Sequence, residues 1–255
     1  MTRLPVVFIS HGSPMTAVQE DDYARALREF GPRLPRPRAI VVVSAHWEAG
    51  PPVRITGAAR PELIYDFAGF PGELFRLTYP APGDPTLAGE IAATLRAKVD
   101  DSRGLDHGVW VPLRRLFPAA DLPVVAVSLA RGAAPSQYLE MGQSLAPLRD
   151  RGVLLLGSGG IVHNLGRVDF ENKSAPVDGW AREFDDWIRD RLAKGEVDRL
   201  LDYRRQAPHA ALAVPTTEHF DPLFIAVGAG GRGRVKEIFA GFHHANLSIR
   251  SFWIE

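Results

Sequence analysis

Ala39-Ile40-Val41-Val42-Val43-Ser44-Ala45-His46-Trp47-Glu48 is the stretch on which the reading of this chain turns. It opens with an unbroken apolar run, mostly β-branched and without polar alternation. A strand covered on both faces has that pattern, whereas a half-exposed strand alternates. The run then breaks into Ser-Ala-His-Trp-Glu, where the chain is expected to leave the sheet. In open α/β sheets ligands collect beyond the carboxyl ends of the strands, so His46 stands where chemistry is usually placed.

Two other stretches repeat the arrangement. Pro5-Val6-Val7-Phe8-Ile9-Ser10 is followed by His11-Gly12-Ser13-Pro14. Gly152-Val153-Leu154-Leu155-Leu156-Gly157 opens into Ser158-Gly159-Gly160-Ile161-Val162-His163-Asn164. Three buried-strand patterns thus each deliver a histidine just beyond their end. Between them, residues 21–30, 85–98, 136–149 and 180–193 have helical spacing, with Asp84 placed to cap the second of these. Residues 53–56, 123–129, 235–239 and 247–253 read as further strands, and the glycines from Gly228 to Gly233 as a flexible loop. No internal repeat or linker divides the chain. The expectation is a single α/β catalytic domain over residues 1–255. Its central, mostly parallel or mixed β-sheet is flanked by helices, and the site lies at the C-terminal ends of the strands.

Composition narrows the function. Lys+Arg and Asp+Glu balance at 30 each in 255 residues, so no net field recruits nucleic acid or an anionic membrane. No apolar run approaches the roughly 18 residues of a membrane-spanning helix. Met1-Thr2-Arg3 leads straight into a strand without a signal-peptide pattern, which reads as cytoplasmic. The chain has no cysteine, which excludes disulfides, a thiolate nucleophile and cysteine-ligated metal. Any metal must be held by imidazole and carboxylate.

Imidazole suits first-row divalent metals, and a catalytic centre typically keeps three protein ligands with open positions. Among the 8 histidines, His11, His46 and His219 fit such a set, and His163 lies on a glycine-led loop. Gly157-Ser158-Gly159-Gly160 has neither the nucleophile-elbow nor the phosphate-loop pattern, and its glycines are expected to give clearance near a bound ring. His209, His243 and His244 carry no pattern that places them in the site.

His11-Gly12-Ser13-Pro14, Ser44-Ala45-His46-Trp47, Asp106-His107-Gly108-Val109-Trp110, Val162-His163-Asn164-Leu165 and Glu218-His219-Phe220-Asp221-Pro222-Leu223 together resemble the class III extradiol ring-cleavage dioxygenases. Tyr65-Asp66-Phe67, Gly69-Phe70-Pro71 and Tyr79-Pro80-Ala81-Pro82-Gly83 are similar to its 4,5-DOPA dioxygenase-like branch, related to the catalytic subunit of protocatechuate 4,5-dioxygenase. The resemblance runs through nearly the whole chain in the right order.

It implies a mononuclear non-haem Fe(2+) centre that Zn(2+) can occupy. His11 and His46 are then metal ligands, and His219 takes the place that a glutamate fills in the protocatechuate enzymes. His163 is implied as the acid–base residue, close enough to serve as a fourth ligand, and His107 as a catalytic histidine lining the substrate and oxygen pocket. Asp66, Phe67, Phe70 and Trp110 are candidates for the substrate-binding wall.

The partners implied are a small-molecule catechol and O2, with no nucleic acid and no membrane, in a monomer or small homo-oligomer. Arg54, Arg167 and Lys173 could meet a substrate carboxylate, although each reads first as a surface charge. Two rivals use the same histidines: a zinc hydrolase activating water, and a non-catalytic Memo-like binding protein.

Overall fold

The computed structural model describes residues 3–255, so Met1 and Thr2 of the amino-terminal stretch lie outside the described residues. The chain passes from β1 (Val6–Ser10) through α1 (Asp22–Phe30) to β2 (Ala39–Ala49) and β3 (Arg54–Thr56). Next come α2 (Pro85–Leu95), β4 (Lys98–Asp100), α3 (His107–Leu116), β5 (Val124–Ala130), α4 (Pro135–Leu145) and β6 (Val153–Gly159). After α5 (Gly179–Lys194) there are three short helices, α6 (Val197–Leu201), α7 (Tyr203–Gln206) and α8 (Ala210–Ala213). The last part holds α9 (Pro222–Gly230), β7 (Val235–Phe239), β8 (Phe242–His243), β9 (Leu247–Ser248) and β10 (Ser251–Ile254).

One eight-stranded sheet has the order β4-β3-β5-β2-β6-β1-β10-β7, while β8 and β9 pair apart from it. Its centre, β5-β2-β6-β1, is parallel throughout. Antiparallel pairing enters on both sides, through β10 against β1 and β3 against β5. The expected mixed α/β sheet is therefore present.

Apolar residues alternate between two cores. Val6, Phe8, Val41, Val43, Val153 and Leu155 join Tyr138, Phe184 and Phe224 on one face. Val7, Ile9, Ile40, Val42, Leu154 and Leu156 join Leu27, Val109 and Leu113 on the other. Each such side chain contributes about 1.5–3 kcal/mol on burial, which is why these strands read as continuous apolar runs. No helix among the described residues is long and apolar enough to cross a membrane.

Several expected elements change on folding. The chain does not leave the sheet at Ser44: β2 continues through His46 to Ala49, with a register shift against β5 between Val43 and Glu48. An irregularity of this kind re-aims a side chain without ending the strand. Asp84 does cap α2, its carboxylate accepting the Leu87 N–H at 2.9 Å. The helix stops at Leu95, short of residue 98, because Arg96 turns left-handed and Lys98 enters β4. Pro147 is not accommodated in α4, which ends at Leu145 and continues as a 3-10 turn over Ala146–Arg151. Residues 247–253 divide into β9 and β10, with Arg250 between them donating to buried Asp185 at 2.6 Å.

The first half of the expected flexible loop at Gly228–Gly233 is helix. Helix α9 extends to Gly230 and crosses α4 backbone to backbone. A Cβ on Gly228 would stand 2.1 Å from the Leu139 carbonyl oxygen, and one on Gly142 2.2 Å from that of Ile225. These two glycines permit close approach; the change of direction falls on Gly231, with φ +62°.

Candidate metal centre

A cavity of about 670 Å³ opens where β1, β2 and β6 end. His11 follows β1 directly, and its N–H donates to the Gly159 carbonyl at 3.2 Å. His46 projects from the irregular part of β2. His107 is the first residue of α3, His163 sits on the loop after β6, and His219 lies just before α9. All five line the cavity. Their rings are neighbours, with centroids 4.8 Å apart for His11 and His46, 5.3 Å for His11 and His219, and 3.9 Å for His46 and His107. His163 lies flat on His219, 3.5 Å between centroids and 7° between planes.

The glycines after β6 serve this assembly through the backbone. A Cβ on Gly159 would stand 2.1 Å from the His219 carbonyl oxygen, and one on Gly157 2.5 Å from that of Pro222. The same His219 carbonyl accepts the Gly160 N–H at 2.8 Å. The clearance expected for a bound ring is thus taken, at Gly157 and Gly159, by the segment that carries His219.

Four of the rings have their other nitrogen engaged. Ser158 Oγ donates to the Gly108 carbonyl, so it accepts the His11 Nδ1–H at 3.1 Å. Glu218 accepts the His219 Nδ1–H at 2.9 Å. Asp66 stands behind two rings: Oδ1 accepts both the backbone N–H and the Nδ1–H of His107 at 2.9 Å, and Oδ2 lies 3.3 Å from His46 Nδ1. Proton on Nδ1 leaves the lone pair on Nε2, and second partners of this kind are what orient metal-binding imidazoles.

Two observations test whether this set fits a cation. His219 Nε2 is buried without a hydrogen-bond partner, a position that costs free energy unless something fills the lone pair. His11 Nε2 and His46 Nε2 face each other at 3.0 Å, an opposition of lone pairs that a positive charge resolves. The donor atoms of His11, His46 and His219 all fall within 4.8 Å of one another. His163 is not in that group. The residues fit a three-imidazole metal centre.

Electrostatics keep His11, His46 and His163 neutral. Burial, then the neighbouring imidazoles, hold His11 well below the ordinary histidine range and bring His46 down to about 2. Burial and the stacked His219 lower His163 to about 3. Burial alone would raise the carboxylates, but hydrogen bonds from His107 and His219 outweigh it and hold Asp66 and Glu218 down to about 2. At neutral pH the pocket floor therefore holds the neutral rings of His11, His46 and His163 beside anionic Asp66 and Glu218.

Phe67 and Phe70 line the cavity, and Phe67 meets His107 edge to face at 5.6 Å. Asp66 also reaches the cavity, but its oxygens are spent on histidines. Trp110 is fully buried beneath Tyr65 and Phe67, with its indole N–H on the Ile64 carbonyl at 3.2 Å, and has no place in the lining. It supports the aromatic wall from behind. Sequence reasoning missed His243 and His244, which also line the cavity. Their only sequence signal was adjacency to each other. His209 pairs with Glu183 at 2.9 Å and stays outside.

The model of the catalytic LigB subunit of aromatic ring-opening dioxygenase matches residues 5–249. A "4,5-DOPA dioxygenase extradiol" of Portulaca grandiflora is 38% identical over 258 residues, covering 96% of this chain and 93% of the relative. One from Escherichia coli K12 is also 38% identical, covering 99% and 95%. The crystal structure of an uncharacterized protein from the same bacterium superposes with a TM-score of 0.84 at 34% identity, covering 99% of this chain and 100% of that one. The chain belongs to the LigB family, and by class it is an extradiol, aromatic ring-opening dioxygenase. The hydrolase and binding-protein alternatives give way to that membership.

Proposed function

We propose that residues 1–255 act as a single catalytic domain that opens the ring of a catechol of the 4,5-DOPA type at an Fe(2+) centre held by His11, His46 and His219. The observation that carries this reading is the unpartnered, buried Nε2 of His219 facing the His11–His46 pair in a chain of this family. Fe(2+) held by these three nitrogens would supply Lewis acidity toward the diol and the redox capacity that reaction with O2 requires. Zn(2+) would fit the same three nitrogens but has no accessible redox change.

The chain's own groups handle protons and orientation. His107 has its Nδ1–H fixed on Asp66, which leaves Nε2 as an acceptor and lets the carboxylate stabilise the imidazolium once it forms. His163, neutral and stacked on His219, takes or returns a proton at its ring. Burial weakens His163 as a resting base, and the hydrogen bond to Asp66 orients His107 to accept the first proton. Phe67 and Phe70 give the diol-bearing ring an apolar wall and exclude water from its face. The reading places the protein in the cytoplasm with a small catechol and O2 as its partners.

Anaerobic loading with Fe(2+), then addition of catechol and air, tests the reading with an oxygen electrode and absorbance recorded together. Oxygen uptake matched by a new near-visible band of a ring-opened semialdehyde is the expected result. Absence of both, across a panel of catechols with the metal retained, would overturn it.

A further inference from the structure

The cavity is larger than a catechol needs, and its far side is built differently from its floor. Gln19, Phe170, Glu171, Lys173, His243 and His244 line that side. Of the three cations that could meet a substrate carboxylate, Arg54 is engaged with Asp100 at 3.2 Å and Arg167 is exposed, both away from the cavity lining. Lys173 alone of the three faces the cavity. Its side chain is 30% exposed, so it is neither a free surface charge nor a sealed one.

Lys173 is held in place by two acceptors. Its ammonium donates to Gln19 Oε1 at 2.7 Å and to Asp21 Oδ2. An ammonium carries three N–H donors, so among the described residues one is left for a ligand. Asp21 does not cancel the charge on its own. Its Oδ1 accepts the Ala24 N–H at 2.7 Å as the cap of α1, where the partial positive charge of the helix terminus also draws on it. His243 stands 3.7 Å from the same carboxylate and turns toward the cavity beside Lys173. A cation pinned by its neighbours loses little entropy on meeting an anion, which is the condition for specific rather than diffuse attraction.

We propose that Lys173, positioned by Asp21 and Gln19, is the specificity-determining residue for a carboxylate on the side chain of the catechol, bound at the end of the cavity away from the histidine floor. This rests on the ring-opening reading for the orientation of the diol. The ligand class is an aromatic diol whose aliphatic substituent ends in a carboxylate, as in an amino acid or an arylpropionate. The diol meets the metal-facing nitrogens while the acid meets Lys173.

The test compares 3-(3,4-dihydroxyphenyl)propionate with 4-methylcatechol, which shares the diol and lacks the acid, on the Fe(2+)-loaded protein. Lys173→Met is expected to raise KM for the acid about 10- to 100-fold, the range for one charge-assisted hydrogen bond. It should leave kcat/KM for 4-methylcatechol within about two-fold, and Lys173→Arg should recover most of the loss for the acid. Equal losses on both substrates would make Lys173 a structural tie between its loop and α1 and would overturn the proposal, as would no change on either. Anaerobic binding of the two compounds to zinc-loaded protein gives the same comparison without turnover. A preference for the acid that Lys173→Met abolishes, in a protein that opens no ring, would refute the ring-opening reading and uphold this one.

Discussion

The two sides of the cavity handle charge in opposite ways. On the floor, imidazole nitrogens face inward, and Glu218 and Asp66 spend their oxygens on the rings, although Asp66 itself reaches the cavity. On the far side the charged groups, Lys173 and Glu171, themselves line the space. The floor suits a bound cation that needs lone pairs and anionic support one layer out. The far side suits a ligand that brings its own charge. The difference teaches that a pocket rich in histidine throughout can hold two chemistries, separated by what each imidazole leans on.

The sharpest way to break this comparison is to remove a floor nitrogen. His219→Ala deletes the buried Nε2 and is expected to abolish detectable ring opening, with metal content per chain falling well below the wild type in elemental analysis. His163→Ala should separate ligand from proton carrier. Metal content stays near wild type while kcat drops about 10²- to 10⁴-fold, the usual range for a general acid–base group. A metal-free His163→Ala protein would instead make His163 a ligand.

Asp66→Asn asks whether the supporting charge matters apart from the nitrogens. It should weaken metal affinity about 10- to 100-fold, measured by competition with a chelator, because one carboxylate orients two rings. An unchanged affinity would reduce Asp66 to a wall residue.

The smallest effect concerns acid sensitivity of the far side. Burial, then Lys173, lowers His243 to about 4, against the opposing pull of Asp21. A histidine depressed in the folded state contributes stability that is complete above its unfolded value near 6.5 and is lost as pH falls toward 4. His243→Gln should therefore lose less stability than wild type between pH 7 and pH 4, by on the order of 2 kcal/mol in denaturant titrations. Parallel losses in both proteins would count against a buried neutral ring there.

Much of the floor was legible in sequence because strands buried on both faces announce themselves locally. Val41 and Leu155 need no distant information to read as sheet, and the residue after each run inherits a position. His46 was found although its strand was drawn too short. Pairing resumes at Glu48 and Ala49 only because β5 is there to receive them, which the sequence of β2 does not contain. The far side was illegible for a related reason. Lys173 and His243 are 70 residues apart; Lys173 lies in a turn, and His243 in the two-residue β8, too short for its sequence to show a period.

Glycine misled in a different way. A cluster of glycines is compatible with a mobile turn and with two backbones in contact, and only the partner helix distinguishes them. At Gly228 the partner is Leu139; at Gly159 it is His219. Trp110 was misplaced because an aromatic ring looks alike in a wall and behind one.

The contact at Gly159 has a bearing on how the protein ages in evolution and in heat. The His219 carbonyl rests against a strand end that has no side chain there, tied by the Gly160 N–H. The spacing between β6 and the backbone that carries His219 is therefore a main-chain dimension, set without any rotamer. Core residues further along β6 can drift in size, and their rotamers can loosen on warming, while the backbone contact at His219 holds still. Tolerance in the body of the strand and intolerance at its last residue are two sides of one design.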